Sequence, residues 1–445
     1  METPNVSPAI SSRSAPSLRR NFAAFVGDVA FYYITVAFLD SATVLPRLVA
    51  LLGGNDVALG LILGIRQAGY FLPQPISAHL LQGKTRFQPF LLQVTFWGRI
   101  GLFPAALFLF ALGNTAPAVA LGVFALAYAL FWVGDGLGGV PWTALVGRTI
   151  PLEQRGRLFA TTQVLGGLSR LLVSGLVAAL LAGALVPFPA NLALLVLGAA
   201  VALAVSWVFL AAIREPEPDA AEVRAAQETE VVSFVRYLAQ VPQRFRERPD
   251  MARLAMVQIL ATSAGASIPF LITATGASGA MLGFLQASQT LGFLLLAPLW
   301  GMLTDRRGAR SAIAGQFGVG LCVPLASLVL LAFDAPMQLA SVPFAVMLFA
   351  YFCYGSVMET WVTSTNYLLE ALPEGEQATY IAIMNAATGP ALLLPVIAGL
   401  IASRFGPVPL FVVVACLLGA GLFLALSLPE TRKIQGGSSS DARTR

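Results

Sequence analysis

Long apolar runs separated by short polar breaks dominate the chain. Runs able to span about 30 Å of bilayer hydrocarbon fall near 22–48, 56–82, 88–112, 117–145, 157–184 and 189–213. A second set falls near 250–274, 278–304, 309–332, 338–369, 377–403 and 407–429. The breaks carry turn formers: Gly53-Gly54-Asn55-Asp56, Gly83-Lys84-Thr85-Arg86, Gly113-Asn114-Thr115, Pro187-Phe188-Pro189 and Gly276-Ala277-Ser278. This pattern predicts an all-α integral membrane protein of twelve transmembrane helices. The longest polar interval, Arg214 to Asp250, divides them six and six. The expected organisation is a tail over 1–21, a bundle over 22–213, a linker over 214–249, a bundle over 250–429 and a tail over 430–445.

The two sets repeat. Pro151 follows helix 4 and Pro373 follows helix 10, an offset of 222 residues (373 minus 151). At that offset Gln163 falls on Asn385, Gly167 on Gly389, His79 on Gly301 and Gly83 on Asp305. Two pseudo-symmetric six-helix bundles are expected to rock about a site at their interface, a transporter device.

Composition supports the membrane reading: 57% of the 445 residues are hydrophobic and 11% charged, against about 25% charged in soluble domains. The net charge of +5 is no nucleic-acid signal, because basic residues here mark one side of the membrane. That side holds Arg13, Arg19, Arg20, Lys84, Arg86, Arg148, Arg155, Arg157, Arg306, Arg307, Arg310, Arg432 and Lys433, whereas the opposite loops hold little beyond Arg47 and Arg404. Both termini are therefore expected in the cytoplasm, with the protein in the inner membrane. The N-terminus shows no small-residue cleavage site behind a short apolar core and reads as a retained tail. In the linker, Val231, Phe234, Val235, Leu238, Val241 and Phe245 recur at helical spacing beside Arg236, Arg244 and Arg246, as in an amphipathic helix on the membrane surface. Cys322, Cys353 and Cys416 lack metal or redox spacing, and His79 is the single histidine. No metal or cofactor is expected.

Between helices 8 and 9 the chain reads Gly301-Met302-Leu303-Thr304-Asp305-Arg306-Arg307-Gly308-Ala309-Arg310. This loop resembles the signature of the major facilitator superfamily, with its Gly, Asp-Arg, Gly and closing basic residue in place. The resemblance implies a conformational latch at Gly301, Asp305, Arg306, Gly308 and Arg310, closed in the outward-facing state. The copy after helix 2 departs from the pattern: His79 stands for glycine and Gly83 for aspartate. Arg155-Gly156-Arg157 and Leu428-Pro429-Glu430-Thr431-Arg432 also resemble the superfamily. No subfamily is assigned.

A charge at the bilayer centre costs about 2.5–3.5 kcal/mol on insertion scales and is a functional candidate by default. Asp28, Asp40, Arg66, Arg99, Asp135, Arg170 and Glu359 qualify. Asp40 and Arg66 lie at similar depth and are expected to pair. Glu359 has no basic partner within helices 7–12, so it reaches across the cavity or stays protonated. It joins Asp135 and Asp28 as the proton-coupling candidates. Arg99 is expected to be structural.

Polar faces give the expected substrate cavity: Asp40; Arg66, Tyr70 and Gln74; Tyr128 and Trp132; Gln163 and Arg170; Gln286 and Gln289; Tyr351, Tyr354 and Thr363; and Asn385. Ser174, Thr290 and Asn366 lie on the same faces. Such faces point inward in lipid, although the same residue types also glue helices together. Gly83-Lys84-Thr85 and the glycines of 134–139 imitate nucleotide motifs but sit in membrane-helix contexts. With no nucleotide-hydrolysing domain, a gradient must drive transport.

The expectation is a monomeric secondary carrier without a cofactor, moving a small polar or amphipathic organic solute, proton-coupled, with efflux favoured over uptake. A sensor or scaffold that keeps the carrier fold is the alternative, followed by a membrane enzyme.

Overall fold

The computed structural model describes residues 15–218, 220, 224, 243–333, 337–358, 360–372, 380, 383–384 and 387–430. Ten helices among these are long and apolar enough to cross a membrane. Helix 2 runs in two pieces, Asp56–Phe71 then Pro73–Leu81, and helix 11 is described over Gly389–Leu393 and Leu394–Phe405. Helix 1 is Ala15–Phe38 with a short continuation Val44–Leu51. Helices 3, 4, 5 and 6 run Gln88–Ile100 with Leu102–Leu112, Pro117–Thr149, Leu152–Leu181 and Ala190–Ala212. Helices 7 to 10 run Pro249–Ser267 with Pro269–Thr275, Ala280–Arg307, Ala309–Leu331, and Val342–Val357 with Thr360–Ala371. Helix 12 is Pro407–Leu426. The amphipathic helix expected at 231–245 lies mostly outside the described residues; Phe245 packs partly buried against the core.

Each half is a bundle, and the halves meet along two seams, helix 2 against helix 11 and helix 5 against helix 8. The duplication explains this pairing. The offset of 222 carries helix 2 onto helix 8 and helix 5 onto helix 11, so each seam is the image of the other. Small residues permit the close approach. A Cβ on Gly60 would lie 2.6 Å from the carbonyl oxygen of Pro395, and one on Gly283 would lie 3.0 Å from the carbonyl oxygen of Ser174. These contacts are themselves related by the repeat to within a residue. Further approaches, Gly399 to Asp56 and Gly279 to Ala182, continue the seams toward the end remote from the chain termini.

Helix breaks are compensated by neighbours. Pro141 cannot donate to the carbonyl of Leu137 four residues earlier, and Ser77 of helix 2 donates to that carbonyl at 2.6 Å. The break in helix 1 is built by Asp40. Its carboxylate accepts from the Ala42 amide at 3.0 Å and from Thr43 Oγ1 at 2.8 Å, closing a turn before Val44. A broken helix leaves carbonyls without intrahelical donors. Gln286 Nε2 of helix 8 donates to the Ala37 carbonyl at 2.7 Å, and the Tyr351 hydroxyl of helix 10 donates to that of Ala42 at 2.7 Å. Both bonds run from the C-half to the N-half, so the kink in helix 1 is where the halves are hydrogen-bonded together.

Chain ends staple the loops. Glu215, just past helix 6, accepts from the Phe87 and Gln88 amides at the start of helix 3 at 3.0 Å and faces Arg148 at 3.7 Å. A different tie stands past helix 12. Arg310 donates to the Leu426 carbonyl at 2.5 Å and lies 3.9 Å from Glu430.

Candidate functional site

A two-lobed cavity lies between the halves. One lobe, about 290 Å³, is walled by Tyr32, Tyr33, Arg66, Tyr70, Trp132, Arg170, Phe293 and Met358. The other, about 220 Å³, runs from Ser41, Arg66, Gln67 and Phe71 to Gln258, Tyr354, Met358, Thr360 and Trp361. Arg66, Gln67, Phe71 and Met358 belong to both. Helices 1, 2, 4 and 5 thus supply one wall, and helices 7, 8, 10 and 11 the other.

The expected pair of Asp40 with Arg66 is not formed. Asp40 pairs instead with Arg170 of helix 5, at 2.5 Å, both side chains nearly fully buried. The turn at 40–43 rotates the carboxylate toward helix 5, an orientation that depth along the helix cannot reveal. Arg66 stacks over the Trp132 ring at 5.1 Å and donates to Ser41 Oγ at 2.7 Å. Tyr128, Tyr354, Tyr32 and the Asp40 carboxylate lie close enough to act on it electrostatically.

The three proton-coupling candidates separate. Asp135 accepts from the Tyr32 hydroxyl at 2.9 Å, directly behind the cavity wall. Asp28 points away into the N-half, where it accepts from Trp142 Nε1 at 3.0 Å and Ser206 Oγ at 2.6 Å. Arg99 donates to the same Ser206 hydroxyl at 3.0 Å, so Asp28 and Arg99 form one buried polar cluster among helices 1, 3, 4 and 6. Asp28 therefore sits apart from the cavity. Glu359 lies outside the described residues, as does Asn385; Met358 and Thr360, the chain neighbours of Glu359, both line the cavity.

Other predicted cavity residues divide between lining and framework. Tyr70 lines the cavity, and the amide of Gln74 sits one turn further along beside Gly139. Gln163 accepts from the Tyr33 hydroxyl at 2.7 Å and so orients a cavity phenol. Tyr128 is fully buried behind Trp132, with ring centroids 6.0 Å apart. Gln286 and Tyr351 tie the halves together, as described above, and do not border either lobe. Gln289 reaches Met358 Sδ at 3.3 Å, in a small side chamber with Asp40. Ser174 and Thr290 bond within their own helices. Thr363 is buried on helix 10, whereas Asn366 is exposed. The cavity also includes Gln67, Gln258, Phe71 and Trp361, which sequence reasoning passed over; Gln67 and Gln258 were legible as amides within apolar helices.

In the latch loop, Asp305 and Arg306 are exposed, and Gly308 ends helix 8 at φ +85°, a conformation that favours glycine. Among the described residues no atom lies within 4 Å of a Cβ built on Gly301. The helix approach that the motif implies is therefore not made there in this state.

Residues 251–444 match the sequence profile of the Major Facilitator Superfamily. No curated protein sequence matches the chain. Among solved structures, a D-xylose-proton symporter superposes with TM-score 0.68 at 16% identity, covering 92% of this chain and 98% of that one. The nucleoside transporter NupG gives 0.64 at 11% identity, covering 92% and 99%. A peptide transporter gives 0.64 at 15% identity, covering 93% of each. These superpositions show the fold: over more than nine-tenths of its length the chain is folded like these transporters.

Proposed function

We propose, from that fold, that the chain is a secondary active transporter that moves a small polar or amphipathic organic solute across the cytoplasmic membrane by alternating access. The observation that carries this reading is the cavity itself. Charged and aromatic side chains of one half face amides and aromatics of the other across a space held by repeat-related seams. The named inter-half contacts lie at and beyond mid-helix on the end remote from the termini. With the termini in the cytoplasm, as the arginine distribution indicates, this state is closed outside.

Proton coupling rests on Asp135 and Glu359. Asp135 is bonded to Tyr32, a phenol of the cavity wall, so occupancy of the cavity can alter its proton affinity. Efflux is the expected direction. In inside-out vesicles carrying the purified protein, an acidic lumen is expected to drive solute accumulation, and a protonophore to abolish it. Asp135→Asn and Glu359→Gln should lose the driven accumulation while Asp135→Asn retains solute exchange at equal pH. Accumulation that ignores the pH gradient, with both variants active, would remove proton coupling and leave the carrier reading standing.

A further inference from the structure

The charge on the cavity wall is unbalanced, and this selects a class of solute. Among the described residues, the two large lobes are lined by arginine and by no carboxylate. Of the two arginines, Arg170 is neutralised by Asp40 at 2.5 Å. Arg66 is not: among the described residues no carboxylate stands within salt-bridge distance of it. Asp135, the nearest acid on helix 4, is turned to the Tyr32 hydroxyl.

Arg66 is also presented as a binding group. A guanidinium carries five N–H donors, and the side-chain bond to Ser41 is the one hydrogen bond it makes among the described residues. Trp132 stacks on its face at 5.1 Å, which leaves the N–H edge directed at the cavity. A desolvated cation is costly unless paired, so an anion entering here replaces water with a direct ion-pair partner, which Arg66 has from none of the described residues. Beyond Arg66 the second lobe is mostly apolar, walled by Phe71, Val357, Met358 and Trp361.

We propose that the solute is an organic anion: a carboxylate or similar oxyanion binds Arg66, and an apolar or aromatic body lies against Phe71, Met358 and Trp361. This rests on the transporter reading above, and it adds the sign of the charge and the place where it binds. Planar, two-pronged recognition of an oxyanion also explains why arginine stands there and not lysine.

The test uses the purified protein in nanodiscs and the quenching of its tryptophan fluorescence, with Trp132 and Trp361 as reporters in the cavity. The probes are 3-phenylpropionate, its amide, 3-phenylpropylamine and inorganic phosphate, each at millimolar concentration. The acid is expected to bind in preference to the amide and the amine. Arg66→Gln should weaken it roughly ten- to a hundredfold, with Arg66→Lys intermediate, and both variants should melt like the parent. Equal binding of amide or amine, no binding of the acid, or acid binding unchanged in Arg66→Gln would overturn the assignment. Phosphate competing as well as the acid would remove the apolar body from it. Flux in proteoliposomes separates the two readings. If the acid binds through Arg66 but never crosses, transport fails and the anion site stands. If only the neutral or cationic probe crosses, transport stands and the anion assignment fails.

Discussion

Replacing Arg170 by leucine is expected to cost about 3–5 kcal/mol of stability, because it strands a buried charge. Asp40 and Arg170 are 2% and 3% exposed and meet at 2.5 Å. The carboxylate also holds the turn that breaks helix 1, through the Ala42 amide and Thr43 hydroxyl. Arg170→Leu therefore leaves a buried anion with two local donors and without the cation it is directly paired to. Asp40→Asn should be less harmful than Arg170→Leu, since an amide oxygen can accept the same two bonds. Adding Asp40→Asn to Arg170→Leu should recover part of the loss, because neither remaining group is then charged. Thermal unfolding in detergent, followed by tryptophan fluorescence, measures all three. An Arg170→Leu protein that melts like the parent would show that the pair is not a structural tie.

Gly60→Leu is expected to abolish net transport while leaving a folded protein. The position faces the other half, with the Pro395 carbonyl 2.6 Å and Gly399 Cα 3.2 Å from where a Cβ would sit. A leucine there penalises only the state in which helix 2 and helix 11 touch. Overpacking costs about 1–3 kcal/mol, which reduces the population of that state by roughly 5- to 150-fold. Within its own half the residue is an ordinary helix position, and leucine favours helix more than glycine does. Solute flux should fall together with the outer-closed population, and the melting temperature should change little. Normal flux in a folded Gly60→Leu protein would mean that this seam never has to close.

The sequence made the helices and their duplication readable because hydrophobic length and glycine-proline punctuation are local signals. It also flagged the residues of the cavity's charged centre, since a charge within an apolar run is visible without a partner. Partners were the part it could not supply. Asp40 has Arg66 and Arg170 within plausible reach, and the choice depends on the turn at 40–43. That turn had a signal of its own: Asp40, Ser41 and Thr43 ahead of Val44 are residues that bond their own backbone in place of a helix. Gln286 and Tyr351 looked like cavity residues because they are polar in apolar helices. They satisfy backbone carbonyls of the broken helix 1 instead, a role that exists only once the halves are assembled. Asp28 likewise gave no sign that Ser206 and Trp142, far along the chain, would enclose it.

The central claim is that two bundles rock about the cavity, with the end remote from the termini closed in this state. Paired spin labels measure it most directly, one pair on exposed Leu185 and Phe405 at that end, the other on exposed Thr143 of helix 4 and Asn366 of helix 10 at the opposite end. Electron–electron distances would be compared between the parent and Gly60→Leu. The account predicts opposite changes: the Leu185–Phe405 distance lengthens and the Thr143–Asn366 distance shortens. A longer distance at the first pair with no change at the second would be local splaying, and would contradict alternating access.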